Sequence, residues 1–397
     1  MKRPPPWLMI AVITAMTAIS SASNSQYLPS LPAIARDLAT TPAMVQLTLS
    51  LFMVFYALAQ LVWGPLSDRY GRRPMLILGL GLYIATSIAC WMAPTIEALI
   101  AFRILQAMAA SCPPVIARAV VRDLYELKDA ARVMAYVTAS FSLAPVLAPM
   151  VGALLEENFG WRSNFMFMVL FGTCIAFAVI AILPETRRPS RVLINPLSVI
   201  ANYGTLITSR LFLGYTLCIS FAFGCIFVFN SVAPFWFIEV GRMTPPEFAL
   251  AYATVTIGFG GSSYAASRVT PLLGIDRTIL MGTVICLAGA VAMAVMVLGG
   301  SGGIAEVCAS MVVVGIGSGF IFPNAQAGAI APYPEKAGSA SALIGFMQMA
   351  AAAGAGIVAI HAYQGTATPL AVAVLALVTA MIICYWALVL RSRAPRP

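Results

Sequence analysis

The run Gly64-Pro65-Leu66-Ser67-Asp68-Arg69-Tyr70-Gly71-Arg72-Arg73-Pro74 sets one carboxylate and three guanidinium groups close together between two long apolar stretches. A carboxylate at such a turn can approach the start of a neighbouring helix, where unpaired N–H groups and the helix dipole favour negative charge. Asp68 therefore has the chemistry of a latch, made in one arrangement of helices and released in another. Arg69, Arg72 and Arg73 have a candidate counter-ion in Asp123, which closes the fourth apolar stretch; Gly64 and Gly71 frame the turn. The plainer alternative is that these arginines only anchor a loop to one side of a membrane. A second candidate is Arg103, about 9 Å along the fourth apolar stretch at the helical rise per residue, with Gln106 three positions on. An ionisable group at that depth is costly and usually marks a pathway. Its alternative is an arginine that snorkels to the headgroups or to Glu97.

The elements that must position these groups are membrane helices. The chain is 61% hydrophobic and only 9% charged, against about 25% charged for a soluble domain. A spanning helix needs roughly 20 apolar residues. Twelve such stretches are expected, starting near Trp7, Ala43, Met75, Glu97, Val133, Asn164, Leu211, Phe248, Thr278, Ile304, Gly338 and Thr368. The fold class is thus all-α integral membrane, with both termini on one side. With the termini inside, all but four of the 23 basic residues (Arg36, Arg103, Arg162 and Arg242) fall on the inner face, while the 14 acids divide evenly. The net charge of +9 follows membrane topology and forms no stripe, which excludes nucleic acid as a partner. Residues 1–23 share the pattern of a secretory signal, but eleven further spans make a retained first helix the simpler expectation.

A polar segment opens at Pro184-Glu185-Thr186-Arg187-Arg188 and divides the chain into a first half at 1–183, a cytoplasmic connection at 184–209 and a second half at 210–397. The second half carries an echo of the charged run in Arg268 and Gly274-Ile275-Asp276-Arg277. Paired six-span halves are the mark of a duplicated transporter whose substrate site lies near the midplane. In the fifth span Pro145 and Pro149 share a helix face with Ala144, Ala148 and Gly152. Small residues there let another helix approach closely, and the eighth span offers a matching face at Gly258, Gly260, Gly261, Ser262 and Ala265. A proline-kinked packing helix is the bland reading. Asn24, Ser25, Gln26, Gln46, Tyr56, Gln60, Asn230, Asn324 and Gln348 are polar groups inside apolar spans. They either line a substrate cavity or join helices to one another. The eight cysteines sit singly, and there is one histidine, His361. No metal-ligand cluster, nucleotide loop or catalytic constellation is visible, so neither an enzyme nor a cofactor is expected.

Four segments together resemble the Bcr/CflA type of drug–proton antiporter within the major facilitator superfamily: Gly64 to Pro74, Arg103-Ile104-Leu105-Gln106-Ala107, Ala144 to Gly152, and Tyr27-Leu28-Pro29-Ser30-Leu31-Pro32. The resemblance covers nearly the whole chain. It implies twelve helices in two halves, a bacterial inner-membrane location, a monomer, and export of small amphipathic molecules driven by the proton gradient. It implies that Asp68 meets the eleventh span, beginning near Gly338, that Arg103 and Gln106 serve proton movement, and that the Pro145/Pro149 face is the antiporter motif between halves. One departure is plain: the acid usual two residues before Tyr-Leu-Pro is replaced by Ser25, and other acids such as Glu97, Glu156, Glu157, Glu239, Glu247 and Glu306 cluster at outer ends. Without a central anion, neutral amphipathic substrates of the phenicol kind are expected over lipophilic cations. A carrier of a physiological metabolite, such as a nucleoside, sugar or siderophore, with altered or absent coupling is the alternative.

Overall fold

A computed structural model describes residues 6–124, 127–186 and 203–391. These residues are helical with short connections and contain no strand. The chain forms two compact units, Met1–Ile194 and Asn195–Pro397. Of the expected connection at 184–209, residues 187–202 lie outside the described ones.

The first unit comprises α1 (Pro6–Ser25), α2 (Leu31–Asp37), α3 (Pro42–Tyr70), α4 (Arg72–Trp91), α5 (Ile96–Ala110), α6 (Cys112–Leu124), α7 (Leu127–Phe159) and α8 (Arg162–Ile182). The second comprises α9 (Arg210–Phe235), α10 (Pro245–Leu273), α11 (Ile275–Leu298), α12 (Ile304–Ile330), α13 (Ala337–His361) and α14 (Thr368–Cys384). Several are parts of longer rods. α5 and α6 join at Ser111, just before Cys112-Pro113-Pro114, whose prolines cannot donate to the preceding turn. α9 and α14 each end in a wider π turn, at Trp236–Val240 and Tyr385–Leu390. Among the described residues, ten such rods are long and apolar enough to cross a membrane. The other two long helices, α7 and α10, stand where the fifth and eighth spans were expected.

In the first unit α4 packs on α5 and α8, α3 on α5, and α1 on α7; in the second, α12 packs against α9, α10 and α11, while α9 also meets α13 and α14. Large apolar side chains left exposed, such as Leu82, Leu170, Phe177, Val295 and Leu298, suit a lipid surface.

The charged run is not the loop that its composition suggested. α3 continues through Tyr70 and α4 begins at Arg72, so a single residue, Gly71, reverses the chain. Gly71 manages this at φ +99°, a region that side chains with a Cβ avoid. Gly274 does the same between α10 and α11, at φ +82°. The sequence echo between halves is therefore a shared backbone device. Tyr27 to Pro32 likewise forms a buried 3-10 turn, Leu28–Ser30, running straight into α2.

Candidate functional site

Arg103 projects from α5, whose first turn is capped by the Thr95 hydroxyl accepting from the Ala98 N–H at 3.3 Å. It is 0% exposed and neither snorkels outward nor reaches Glu97. Nη1 donates to Gln106 Oε1 at 2.5 Å and Nη2 to the Ser23 carbonyl at 3.0 Å. The guanidinium carbon lies 4.1 Å from the Phe52 ring centre and 4.4 Å from that of Tyr27, with Phe165 at 5.9 Å. Gln106 passes the contact on, its Nε2 donating to Ser87 Oγ at 2.7 Å. The Tyr83 and Ser23 hydroxyls are 2.7 Å apart, and those of Tyr27 and Thr48 are 3.0 Å apart. No carboxylate among the described residues pairs with Arg103. A guanidinium keeps its proton under all ordinary conditions, so α1, α3, α4, α5 and α8 close around a permanent cation held by carbonyl dipoles and ring faces.

The junction of α3 and α4 carries an ionic network. Arg72, 1% exposed, meets Asp68 at 2.6 Å, Asp123 at 3.0 Å and Ser67 Oγ at 2.6 Å. Asp123, expected to serve three arginines, is thus engaged by Arg72. Arg73 turns instead to the Ile180 carbonyl at 2.6 Å, and Arg69 lies over the Tyr70 ring. Gly64 is in ordinary contact with Val115. The residue that sequence reasoning passed over is Glu185. Its carboxylate oxygens accept from the backbone N–H groups of Arg72 and Arg73 at 2.9 and 3.1 Å, capping α4 from the far end of the unit's last helix. A Cβ on Gly71 would come within 2.7 Å of Glu185 Oε2, which gives that glycine a second reason. The signal available was a lone acid two residues past the sixth apolar stretch.

α7 runs unbroken through Pro145 and Pro149. Pro149 is buried, while Ala144, Pro145 and Ala148 are half-buried. Gly152 abuts the Gln26 carbonyl: a Cβ there would overlap its oxygen and sit 2.7 Å from its carbon. The close approach read for this face is therefore made, at Gly152, with the first span of its own unit. Asn164 seals the junction, donating to Ser30 Oγ at 3.0 Å and accepting from Gln26 Nε2 at 3.2 Å. In the second unit Gly258 and Ser262 face α12, whereas Gly260 and Gly261 have open space beside them.

The other polar candidates divide. Asn24 is half-buried, and Ser25 and Gln26 are buried beside the Gly152 contact. Gln46 donates to Ser50 at 3.3 Å within α3; Tyr56 is buried and Gln60 half-buried one turn on. Asn324 is a joint between helices, its Oδ1 accepting from Thr270 Oγ1 at 2.9 Å and its Nδ2 donating to the Phe320 carbonyl at 2.9 Å. Asn230 is 5% exposed and Gln348 half-buried. His361 is exposed on the last turn of α13, with Nδ1 2.9 Å from the Ile357 carbonyl. In the echo segment, Asp276 Oδ1 accepts from Tyr215 at 2.5 Å and Tyr385 at 3.3 Å.

Known proteins with similar sequences and folds agree with this architecture. The Major Facilitator Superfamily pattern matches residues 10–359. A chloramphenicol resistance protein of Pseudomonas aeruginosa is 31% identical over 84% of this chain and 79% of its own. A bicyclomycin resistance protein homologue of Haemophilus influenzae is 27% identical over 98% of both chains. Multidrug resistance protein MdtL of Escherichia coli is 30% identical over 84% of both. In fold, the chain is similar to a bacterial homologue of the human lysosomal transporter Spinster, at TM-score 0.74 and 13% identity over 99% of this chain and 98% of that one. With its apolar helices, these likenesses make it a multi-pass transporter of the bacterial inner membrane. The chain belongs to the Major Facilitator Superfamily.

Proposed function

We propose that the protein exports small amphipathic drugs by alternating access, in exchange for protons. The observation that carries this reading is the combination of drug-resistance relatives along most of the chain with a fully buried Arg103 facing no carboxylate. A fixed positive charge at that depth repels lipophilic cations and leaves neutral, electron-rich solutes as the favoured cargo. Chloramphenicol, a neutral amphipathic molecule, is the natural probe. Polar groups of the first unit, Asn24, Ser25, Tyr56 and Gln60, would offer hydrogen bonds, with Met53 and Phe52 as apolar wall, while Gln26 and Gln46 are already committed to Asn164 and Ser50. In the second unit Asn230 and Gln348 remain for that role, while Asn324 is already committed to Thr270.

The test is chloramphenicol-driven proton movement in everted vesicles. Wild type should release protons from the lumen on addition of drug, and Arg103→Lys should lose most of that response. Lysine cannot keep the Gln106 and Ser23 contacts and the ring stacking at once. Stronger transport of a quaternary cation than of chloramphenicol would overturn the substrate reading. A metabolite carrier would show neither response.

A further inference from the structure

Glu156 lies one turn beyond Gly152 on α7 and so shares the face that meets α1. It is half-buried, and its Oε2 is shut off from solvent with no hydrogen-bond donor among the described residues. Burial disfavours the charged form of its carboxyl, against a hydrogen bond from the Ser30 hydroxyl and the charge of the Arg36 guanidinium, which favour it. Arg36 forms no ion pair with it; its Nε points to the Pro32 carbonyl at 3.4 Å. The other charged groups at this end of the surrounding elements are Asp37 on α2 and Arg162 at the start of α8. These two are paired at 2.5 Å, with the Trp161 N–H also donating to Asp37. Glu157, next on α7, is exposed. α1 contributes no charged residue.

Ser30 is also the acceptor for Asn164, which in turn receives Gln26. Glu156 thus terminates a polar lattice that joins α1, α7 and α8 and ends beside Ser25. An ionised oxygen buried without a donor is expensive, whereas a neutral carboxylic acid in the same place costs far less. We infer that Glu156 is the residue of the first unit that binds and releases the transported proton. It is a neutral acid while the α1–α7–α8 lattice is closed, and a carboxylate once the lattice parts. On parting, the Oε–H bond breaks and the proton passes to water on the side then open; on closing, the carboxylate takes a proton from water. This rests on the antiport reading above.

Two measurements on the full chain test it. In lipid nanodiscs, difference infrared spectroscopy at neutral pH should show a carboxylic-acid carbonyl band in wild type and Glu157→Gln that Glu156→Gln lacks. In everted vesicles, chloramphenicol-induced proton release should fall at least tenfold in Glu156→Gln while chloramphenicol counterflow persists, and Glu156→Asp should retain release with a displaced pH profile. An unchanged band in Glu156→Gln, or proton release that survives the substitution, overturns the assignment alone. Wild-type counterflow without any proton release overturns the antiport reading and the assignment with it.

Discussion

Gly152→Ala is the sharpest test of the packing that holds the first unit together. The added methyl would overlap the Gln26 carbonyl oxygen and lie 2.7 Å from its carbon, where ordinary contact begins at 3.4 Å. Both atoms are backbone, so no rotamer change relieves the clash. α1 and α7 must separate by about 1.5 Å to relieve the overlap with the oxygen, a shift that a close-packed interior transmits to its neighbours. Overpacking of this kind costs about 1–3 kcal/mol, and parting the helices also strains the Asn164 bonds to Ser30 and Gln26, each worth about 1 kcal/mol. A total near 3 kcal/mol corresponds to a fall of about 6–12 °C in melting temperature for a unit of this size. The assay is thermal unfolding in nanodiscs, with Gly81→Ala as control. Gly81 is helical with nothing within 4 Å of a built Cβ, so its substitution should be neutral or stabilise by about 0.5–1 kcal/mol. Gly152→Ala melting with wild type, or both variants falling alike, would refute the reasoning.

Glu185→Gln should destabilise the α3–α4 junction by about 1 kcal/mol, the usual worth of a helix cap, because one amide oxygen replaces two carboxylate oxygens and an NH2 group faces an N–H. Thermal unfolding reads this, and a variant equal to wild type would remove Glu185 from the network. Asn324→Ala and Thr270→Val should show non-additive losses, with a coupling of about 0.6–1 kcal/mol for their 2.9 Å bond. A double-mutant cycle by thermal melting measures it, and strict additivity would dissolve the joint. Drug selectivity should move little in either single variant.

The positions of the helices were legible because hydropathy is a local property: about 20 apolar residues in succession are readable wherever they occur. The paired turns were legible too, since Gly71 and Gly274 each follow a long apolar stretch and each reverses the chain at positive φ. The shape of the charged run was not. Composition says turn, but whether a turn takes eight residues or one depends on backbone dihedrals, and Gly71 does it alone. Partners far apart in sequence were hidden too. The cap on α4 comes from Glu185, 113 residues from Arg72, and nothing in the spacing of either announces the other. Arg103 was found by its depth, yet its aromatic ring set of Tyr27, Phe52 and Phe165 is assembled from three separate stretches. Gly152 was picked out as small, but small residues do not say which helix they admit. The polar residues read as cavity lining included Asn324 and Gln26, which join helices, because an amide that joins two helices and one that faces a solute look the same in one dimension.

The uncompensated guanidinium in the first unit also has an electrical meaning. Arg103 neither sheds its charge nor shares it with an acid among the described residues. Any displacement of its unit along the membrane normal therefore carries that charge through part of the transmembrane voltage. A full crossing by one charge is worth about 2.3 kcal/mol per 100 mV. Even a small fraction of that path makes the resting potential a force on the protein itself, present before any solute or proton is bound.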